Sequence, residues 1–366
     1  MTLHLYFARK FTLLVLGLFA IFGAILVLFD MVDQIRRFEI GSIGFREALH
    51  LSALRVPADL YTILPLVVVL ATVALFLGLA RTSELVITRA SGRSALRALV
   101  APVLAALVLG GIAVAIMNPI VAATSKQYRL VTDRYKTGET SLLSVSSEGL
   151  WLREGSDEGQ ILIRAARTNP EGTRFFDVTF LAFGRDGQPA WRIEAAEAAL
   201  GGGSWALREA KRWSFDADTP NPELTAVEQP ILSLPSGLTS QRIRDGFARP
   251  SAIAIWDLPE FIAGLERAGF SARQHRVWLQ MELARPLLLA AMVLLAAGFT
   301  MRHTRFGRTG LMAMLALGLG LGLFFLRNFA QVLGETGQIP IALAAWSPPV
   351  AGILFSLGVL LHLEDG

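Results

Sequence analysis

The side chains in this chain whose type and spacing could do chemistry are one isolated carboxylate and several groups of arginines, and they point to binding rather than bond breaking. In Arg81-Thr-Ser-Glu-Leu-Val-Ile-Thr-Arg-Ala-Ser-Gly-Arg-Ser94, Glu84 is the single acid beside Arg81, Arg89, Arg93 and the nearby Arg97. Anionic lipid disfavours a carboxylate at such a face, so Glu84 suits a basic partner protein. The plainer alternative is an amphipathic interfacial helix capped by Ser83 and ended by Gly92. A second group is basic: Arg36 and Arg37, then Lys126, Arg129, Arg134 and Lys136. Arginine can hold a phosphate through two parallel hydrogen bonds, so an anionic headgroup is one reading and solvated surface charge the other. Asp30, Asp33, Glu39 and Asp133 lie close in sequence and weaken the field of that group. Arg327, inside Phe324-Phe325-Leu326-Arg327-Asn328-Phe329, is costly in a membrane span, about 2.5–3.5 kcal/mol at its centre. It is expected to face a cavity or a partner. Glu282 and Arg285, three apart, are expected to pair on a helix surface.

Catalytic constellations are missing. The chain has no G-x-x-x-x-G-K-[ST] phosphate loop, no H-E-x-x-H and no G-x-S-x-G. Its histidines (His4, His50, His275, His303, His362) are scattered, and it contains no cysteine, which removes disulfides and thiolate-held metals. A carrier or channel-like subunit is favoured over a catalyst. An enzyme built on carboxylates alone stays open, although no pair stands out.

The elements that must position these residues are set by hydropathy. Of 366 residues 53% are hydrophobic and only 17% charged, which places the chain among membrane proteins. Six apolar runs are read at Phe11–Phe29, Leu60–Leu79, Ala98–Met117, Leu279–Phe299, Leu311–Leu333 and Ala345–Leu361. Most reach the ~20 residues a helix needs to cross the hydrocarbon layer. The last is shorter, with Pro348 and Pro349 near its start. The first exceeds a signal-peptide core and lacks an A-x-A-like site, so it is expected to be a retained helix. Gly318, Gly320 and Gly322 are expected to let the fifth helix pack closely. Arg81, Arg89, Arg93 and Arg97 lie in one short loop, and Arg302, Arg305 and Arg308 in another. With Arg9 and Lys10, they put both termini and these loops on the cytoplasmic side. The polar block between the third and fourth spans then faces outward.

That block changes period. Gln160–Arg167, Phe175–Gly184, Trp191–Leu200 and Trp205–Asp216 read as strands. They are separated by Asn169-Pro-Glu-Gly172, Asp186-Gly187 and Gly201-Gly-Gly203, with a loop at Pro220–Pro222. An antiparallel sandwich or open jelly roll of ~110 residues is expected, large enough for its own core. A connecting helix follows, opened by Asp257 and Glu260 as a capping-box variant and stopped by Gly269.

Several segments together resemble the lipopolysaccharide export permeases of the LptF/LptG (YjgP/YjgQ) family, the LptG branch more than the LptF branch. They are Asp30-Met-Val-Asp-Gln-Ile-Arg-Arg37, Ser83-Glu-Leu-Val-Ile-Thr-Arg-Ala-Ser-Gly92, Ser141-Leu-Leu-Ser144 and Glu148-Gly-Leu-Trp-Leu-Arg153, then Ala344-Ala-Trp-Ser-Pro348 and Glu364-Asp-Gly366. They lie along nearly the whole chain. The resemblance implies a membrane α-helical fold of six transmembrane helices, 3+3, with an inserted periplasmic antiparallel β-jelly-roll domain. The boundaries are 1–124 for helices one to three (coupling helix about 82–92), 125–276 for the jelly roll and its connecting helix, and 277–366 for helices four to six.

It further implies an inner-membrane ABC-transporter subunit with no active site and no cofactor, ATP being bound by a separate LptB ATPase dimer. Its other partners would be the homologous LptF, then LptC and LptA, and its substrate lipopolysaccharide taken from the outer leaflet. Ser83, Glu84, Arg89, Ala90, Ser91 and Gly92 would couple to the ATPase, with Glu84 seated in its groove. Arg36, Arg37, Lys126, Arg129, Arg134 and Arg327 are the candidates for lipopolysaccharide binding. Asp30 stands where some relatives are basic; a carboxylate cannot bind phosphate, and Arg327 is the candidate to compensate. The alternatives are the LptF branch, a mechanotransmission or lipoprotein-release permease, and a lipid-modifying membrane enzyme. The second places its outer domain after the first span rather than the third; the third lacks a nucleophile–base or metal set.

Overall fold

The computed structural model describes residues 2–37, 44–85, 87, 95–136, 143–146, 149–156, 159–169, 172–184, 186–215, 221–239, 243, 249–267, 269–301 and 309–364. The chain forms two compact units. Unit one comprises Met1–Thr132, Pro250–Trp256 and Arg273–Gly366; unit two comprises Asp133–Arg249 and Asp257–Ala272.

Unit one is helical. Its elements are α1 (Thr2–Arg37), α2 (Phe45–Arg81), α3 (Ala95–Ile112), a π-helical turn (Ala113–Met117), α4 (Asn118–Lys136), α6 (Arg273–Leu283), α7 (Arg285–Thr300), α8 (Thr309–Thr336) and α9 (Ile341–Glu364). α4 runs on past the end of this unit. Among the described residues, five helical stretches are long and apolar enough to cross a membrane, and α6 with α7 makes a sixth candidate bent by 50°. The helices outrun the predicted spans: α2 starts at Phe45 rather than Leu60, and α4 continues to Lys136. Hydropathy marks where hydrocarbon is crossed, whereas the backbone ladder continues through polar turns such as Arg46–His50. Pro348 and Pro349 lie inside α9, which begins earlier at Ile341.

α7 is the hub. Its residues from Leu288 to Gly298 are buried throughout, and it packs against α2, α3, α8 and α9. Pro286 explains the bend before it, because a proline has no N–H to offer the carbonyl of Glu282, four residues back. The backbone of Pro286 also touches α3: a Cβ on Gly110 would stand 2.5 Å from the Pro286 Cα. Of the three predicted packing glycines, only Gly320 lies close against a neighbour: a Cβ added there would stand 2.8 Å from Val69 Cγ2 on α2, whereas one added at Gly318 or Gly322 would meet no other element within 4 Å.

Among the described residues, unit two forms a seven-stranded antiparallel sheet whose strand order follows the sequence: β1 (Leu143–Ser146), β2 (Gly149–Ser156), β3 (Gly159–Thr168), β4 (Arg174–Gly184), β5 (Pro189–Gly201), β6 (Ser204–Ser214) and β7 (Val227–Pro235). Every described connection within the sheet therefore joins neighbours, with no Greek-key crossover among the described strands. The inward alternation of two slips to three at opposed positions of four strands: Ala165 to Thr168, Phe175 to Val178, Ala195 to Ala198 and Leu207 to Ala210 are successive buried residues. The paired residues Arg167, Phe176, Glu197 and Arg208 line up across these slips. Asp177 and Glu209, each next to that row, take positive φ (53° and 52°). A crease of this kind bends strands as a bulge does, so one face of a single meander can fold over its own core. Trp205 is fully buried there, edge-on to Phe175 at 5.1 Å and to Phe180 at 5.8 Å between ring centroids.

The rolled sheet is clasped. The buried Glu154 carboxylate on β2 accepts hydrogen bonds from the Ser236 hydroxyl at 2.9 Å and from the Gly237 N–H, just beyond β7. α5 (Leu258–Arg267) lies beside β1. Its first turn is closed by Phe261 N–H donating to Asp257 O at 3.0 Å, and Gly269 follows its end with φ of 88°. This is the connecting helix expected from Asp257, Glu260 and Gly269.

Candidate functional site

The first candidate region follows α2. Arg81 ends the helix, Thr82 N–H donates to Gly78 O at 3.1 Å, and Ser83 turns into the left-handed region with φ of 58°. Ile87 N–H then donates to Ser83 O at 3.1 Å, and Glu84, Leu85 and Ile87 are helical. A helical turn follows Ser83 among the described residues, but it starts through a left-handed backbone rather than the extended one of an ordinary N-cap. A non-glycine residue there costs about 1–2 kcal/mol. Arg89, Ala90, Ser91 and Gly92 lie outside the described residues.

Glu84 is held from two elements. Its Oε1 accepts from the Thr82 hydroxyl at 2.8 Å and from Lys10 Nζ, on α1, at 3.3 Å. Lys10 also donates to the Tyr6 hydroxyl at 3.2 Å. Partial burial pushes the Glu84 carboxyl up. Hydrogen bonds from Thr82, Tyr6 and Lys10, with the charge of Lys10, outweigh that and hold it below the ordinary carboxylate range. In the sequence Lys10 reads only as positive-inside bias, because its partner, 74 positions away, carries no local signal.

The second region is the far end of α1. Arg36 is exposed, Lys126 exposed and Arg129 half-buried. The side chains of Arg37 and Arg134 lie outside the described residues. Gln34, fully buried, donates to the Tyr128 hydroxyl at 2.9 Å and to Asp30 Oδ2 at 3.3 Å, which joins the end of α1 to α4 beside Arg129. Asp30 itself is paired with Arg55 of α2 at 3.2 Å, and Arg55 also faces Asp33 at 3.6 Å and Asp59 at 3.7 Å. Arg55, absent from the sequence candidates, is thus the cation that occupies Asp30.

Arg327 is elsewhere. It donates to Asn328 Oδ1 at 3.1 Å and lies within electrostatic range of Tyr61, Glu282 and Arg285. Glu282 and Arg285 do pair, at 2.6 Å, but inside the bundle, with 0% and 5% exposure, not on a helix surface as expected. Arg285 Nε also donates to Glu282 Oε2 at 3.1 Å, its Nη1 to Tyr61 O at 3.0 Å, and the Tyr61 phenol donates to Glu282. Burial makes this pair depend on full satisfaction of its hydrogen bonds, to which the phenol and the carbonyl of Tyr61 on α2 contribute.

A further polar joint was invisible in the sequence. Pro119 leaves the Ala115 carbonyl, four residues back, without its helical donor, and the π-helical turn Ala113–Met117 accommodates this. The Trp256 indole N–H takes up that carbonyl at 3.2 Å, and the buried Asn118 side chain accepts from Ile255 N–H at 2.9 Å.

A helical membrane bundle interrupted after its third span by an antiparallel β domain, with interhelical ion pairs Lys10–Glu84 and Arg55–Asp30, defines the class: a polytopic membrane protein with an inserted sheet domain. The lipopolysaccharide export system permease LptF/LptG family matches residues 5–362, and the chain belongs to this family. It is similar to the lipopolysaccharide export system permease protein LptG of Haemophilus influenzae, 23% identical over 358 residues, covering 94% of this chain and 96% of that protein. It is likewise similar to LptG of Escherichia coli, 23% identical over 336 residues and 90% of each chain.

Proposed function

We propose that the chain is an LptG-type permease subunit of an inner-membrane ABC transporter that takes lipopolysaccharide from the outer leaflet and passes it toward a periplasmic β bridge. The observation that carries this is one family match running through the helical unit and the β domain together, residues 5–362. The similar proteins are named LptG, which supports the G branch over LptF. In this reading the partners are LptF, an LptB ATPase dimer, LptC and LptA. The termini are cytoplasmic and the β domain periplasmic. The subunit has no active site or cofactor of its own; ATP is bound by LptB.

Glu84, on the helical turn after α2, docks the ATPase, and Arg36, Arg37, Lys126, Arg129, Arg134 and Arg327 serve the anionic substrate. ATP closure of the ATPase dimer acts only through a difference in substrate affinity between two states of the transporter. Arg55 holds Asp30, so Asp30 is not a substrate contact.

Co-purification tests the reading. The wild-type chain is expected to bring down the ATPase and a second permease subunit, and Glu84→Lys to lose the ATPase. A wild-type chain that purifies alone, or an ATPase retained by Glu84→Lys, overturns the docking role.

A further inference from the structure

We propose that Lys10 is the positioning residue for Glu84: it fixes the direction and the charge of the docking carboxylate from a separate, packed helix. This rests on the docking role given to Glu84 above. Lys10 is held by its neighbours, because Phe7 and Phe11 on the same helix are 1% and 0% exposed in the helical core. The ammonium is further fixed by the Tyr6 hydroxyl at 3.2 Å and stands 5.3 Å from the Tyr6 ring centroid. From this platform it reaches Glu84 Oε1 at 3.3 Å, while Thr82 holds the same oxygen at 2.8 Å. Leu85, next in the chain, is buried in the same core as Phe7 and Phe11, so the turn that bears Glu84 is seated as well.

The arrangement answers a physical problem. A carboxylate near anionic headgroups is repelled by them and, left alone, samples many rotamers. A lysine with an apolar stem in the bundle and its ammonium at the polar edge supplies a local countercharge and limits those rotamers. A partner surface then meets an ionised, oriented carboxylate, and less side-chain freedom is lost on docking. The contact also makes α1, the 36-residue helix that bears Arg36 near its other end, a direct neighbour of the docking group.

The test uses the full permease complex in lipid nanodiscs and measures the affinity of the purified ATPase. Lys10→Met is expected to weaken binding about two- to five-fold, the range of a part-exposed ion pair, and Lys10→Arg to restore most of it. In a Glu84→Gln background, Lys10→Met is expected to have no further effect, because a positioning residue acts only through its partner. Wild-type affinity for Lys10→Met, or a loss that adds in full to that of Glu84→Gln, overturns the inference while leaving the docking role standing. Unchanged affinity in Glu84→Lys overturns the docking role and this inference with it.

Discussion

The phenol of Tyr61 on α2 donates a hydrogen bond to the carboxylate of Glu282 on α6, 221 positions away. With Arg285 forked onto the same carboxylate, this contact fixes the bent α6–α7 pair against α2. Removing one member of a buried ion pair costs about 3–5 kcal/mol, whereas losing one hydrogen bond to a charged group costs about 1.5–3 kcal/mol. Glu282→Ala is therefore expected to destabilise the chain more than Tyr61→Phe, because it leaves the Arg285 guanidinium buried and unpaired. Denaturant unfolding in mixed micelles checks this order; equal losses would contradict it.

The strap 250–256 is pinned through Asn118. Replacing Asn118 with Ala leaves the Ile255 N–H without its acceptor, and Trp256→Phe leaves the Ala115 carbonyl without its donor. Each is expected to cost about 1 kcal/mol locally. Hydrogen exchange reads it directly: the Ile255 amide is expected to exchange about five-fold faster in Asn118→Ala. Unchanged exchange at that amide would mean that the side chain does not hold the strap.

Glu84 sets a pH expectation with a definite sign. Its carboxyl titrates below the ordinary range. The contribution of its contacts with Thr82, Tyr6 and Lys10 is therefore complete above about pH 4.5 and is lost as the pH falls through the lowered value. ATPase retention is expected to be unaffected by Glu84 between about pH 6 and 8. A wild-type change in that window that vanishes in Glu84→Gln would refute the assignment.

The β clasp predicts a separable effect. Glu154→Ala removes the acceptor of Ser236 and Gly237, and is expected to cost about 1.5–3 kcal/mol, the range for hydrogen bonds to a charged group. Because Trp205 sits inside the same rolled sheet, its near-ultraviolet signal is expected to be lost at lower denaturant concentration in this variant. An unshifted midpoint would show that the sheet stays rolled without the clasp.

The sequence by itself determined what depends on local period and composition. Long apolar runs require helices in a membrane, so the spans were legible; alternation with Asp186-Gly187 required a hairpin, so β4 and β5 were too. Asp257, Glu260 and Gly269 marked the two ends of α5. Glu84 stood out as an acid among arginines. The ends of the helices were not legible, because hydropathy stops at the hydrocarbon edge and backbone hydrogen bonding does not.

Where a charged or polar group finds its partner on another element, that partner was decided only by the tertiary structure. Lys10 with Glu84, Arg55 with Asp30, Glu154 with Ser236 and Tyr61 with Glu282 all join residues far apart in sequence. The same holds for the crease, which needs opposed slips in four strands, and for the burial of Glu282 and Arg285, which needs Tyr61 of α2 against them. Spacing along a chain fixes which face of its own element a side chain occupies. Which other element comes to lie on that face is set by packing of the whole.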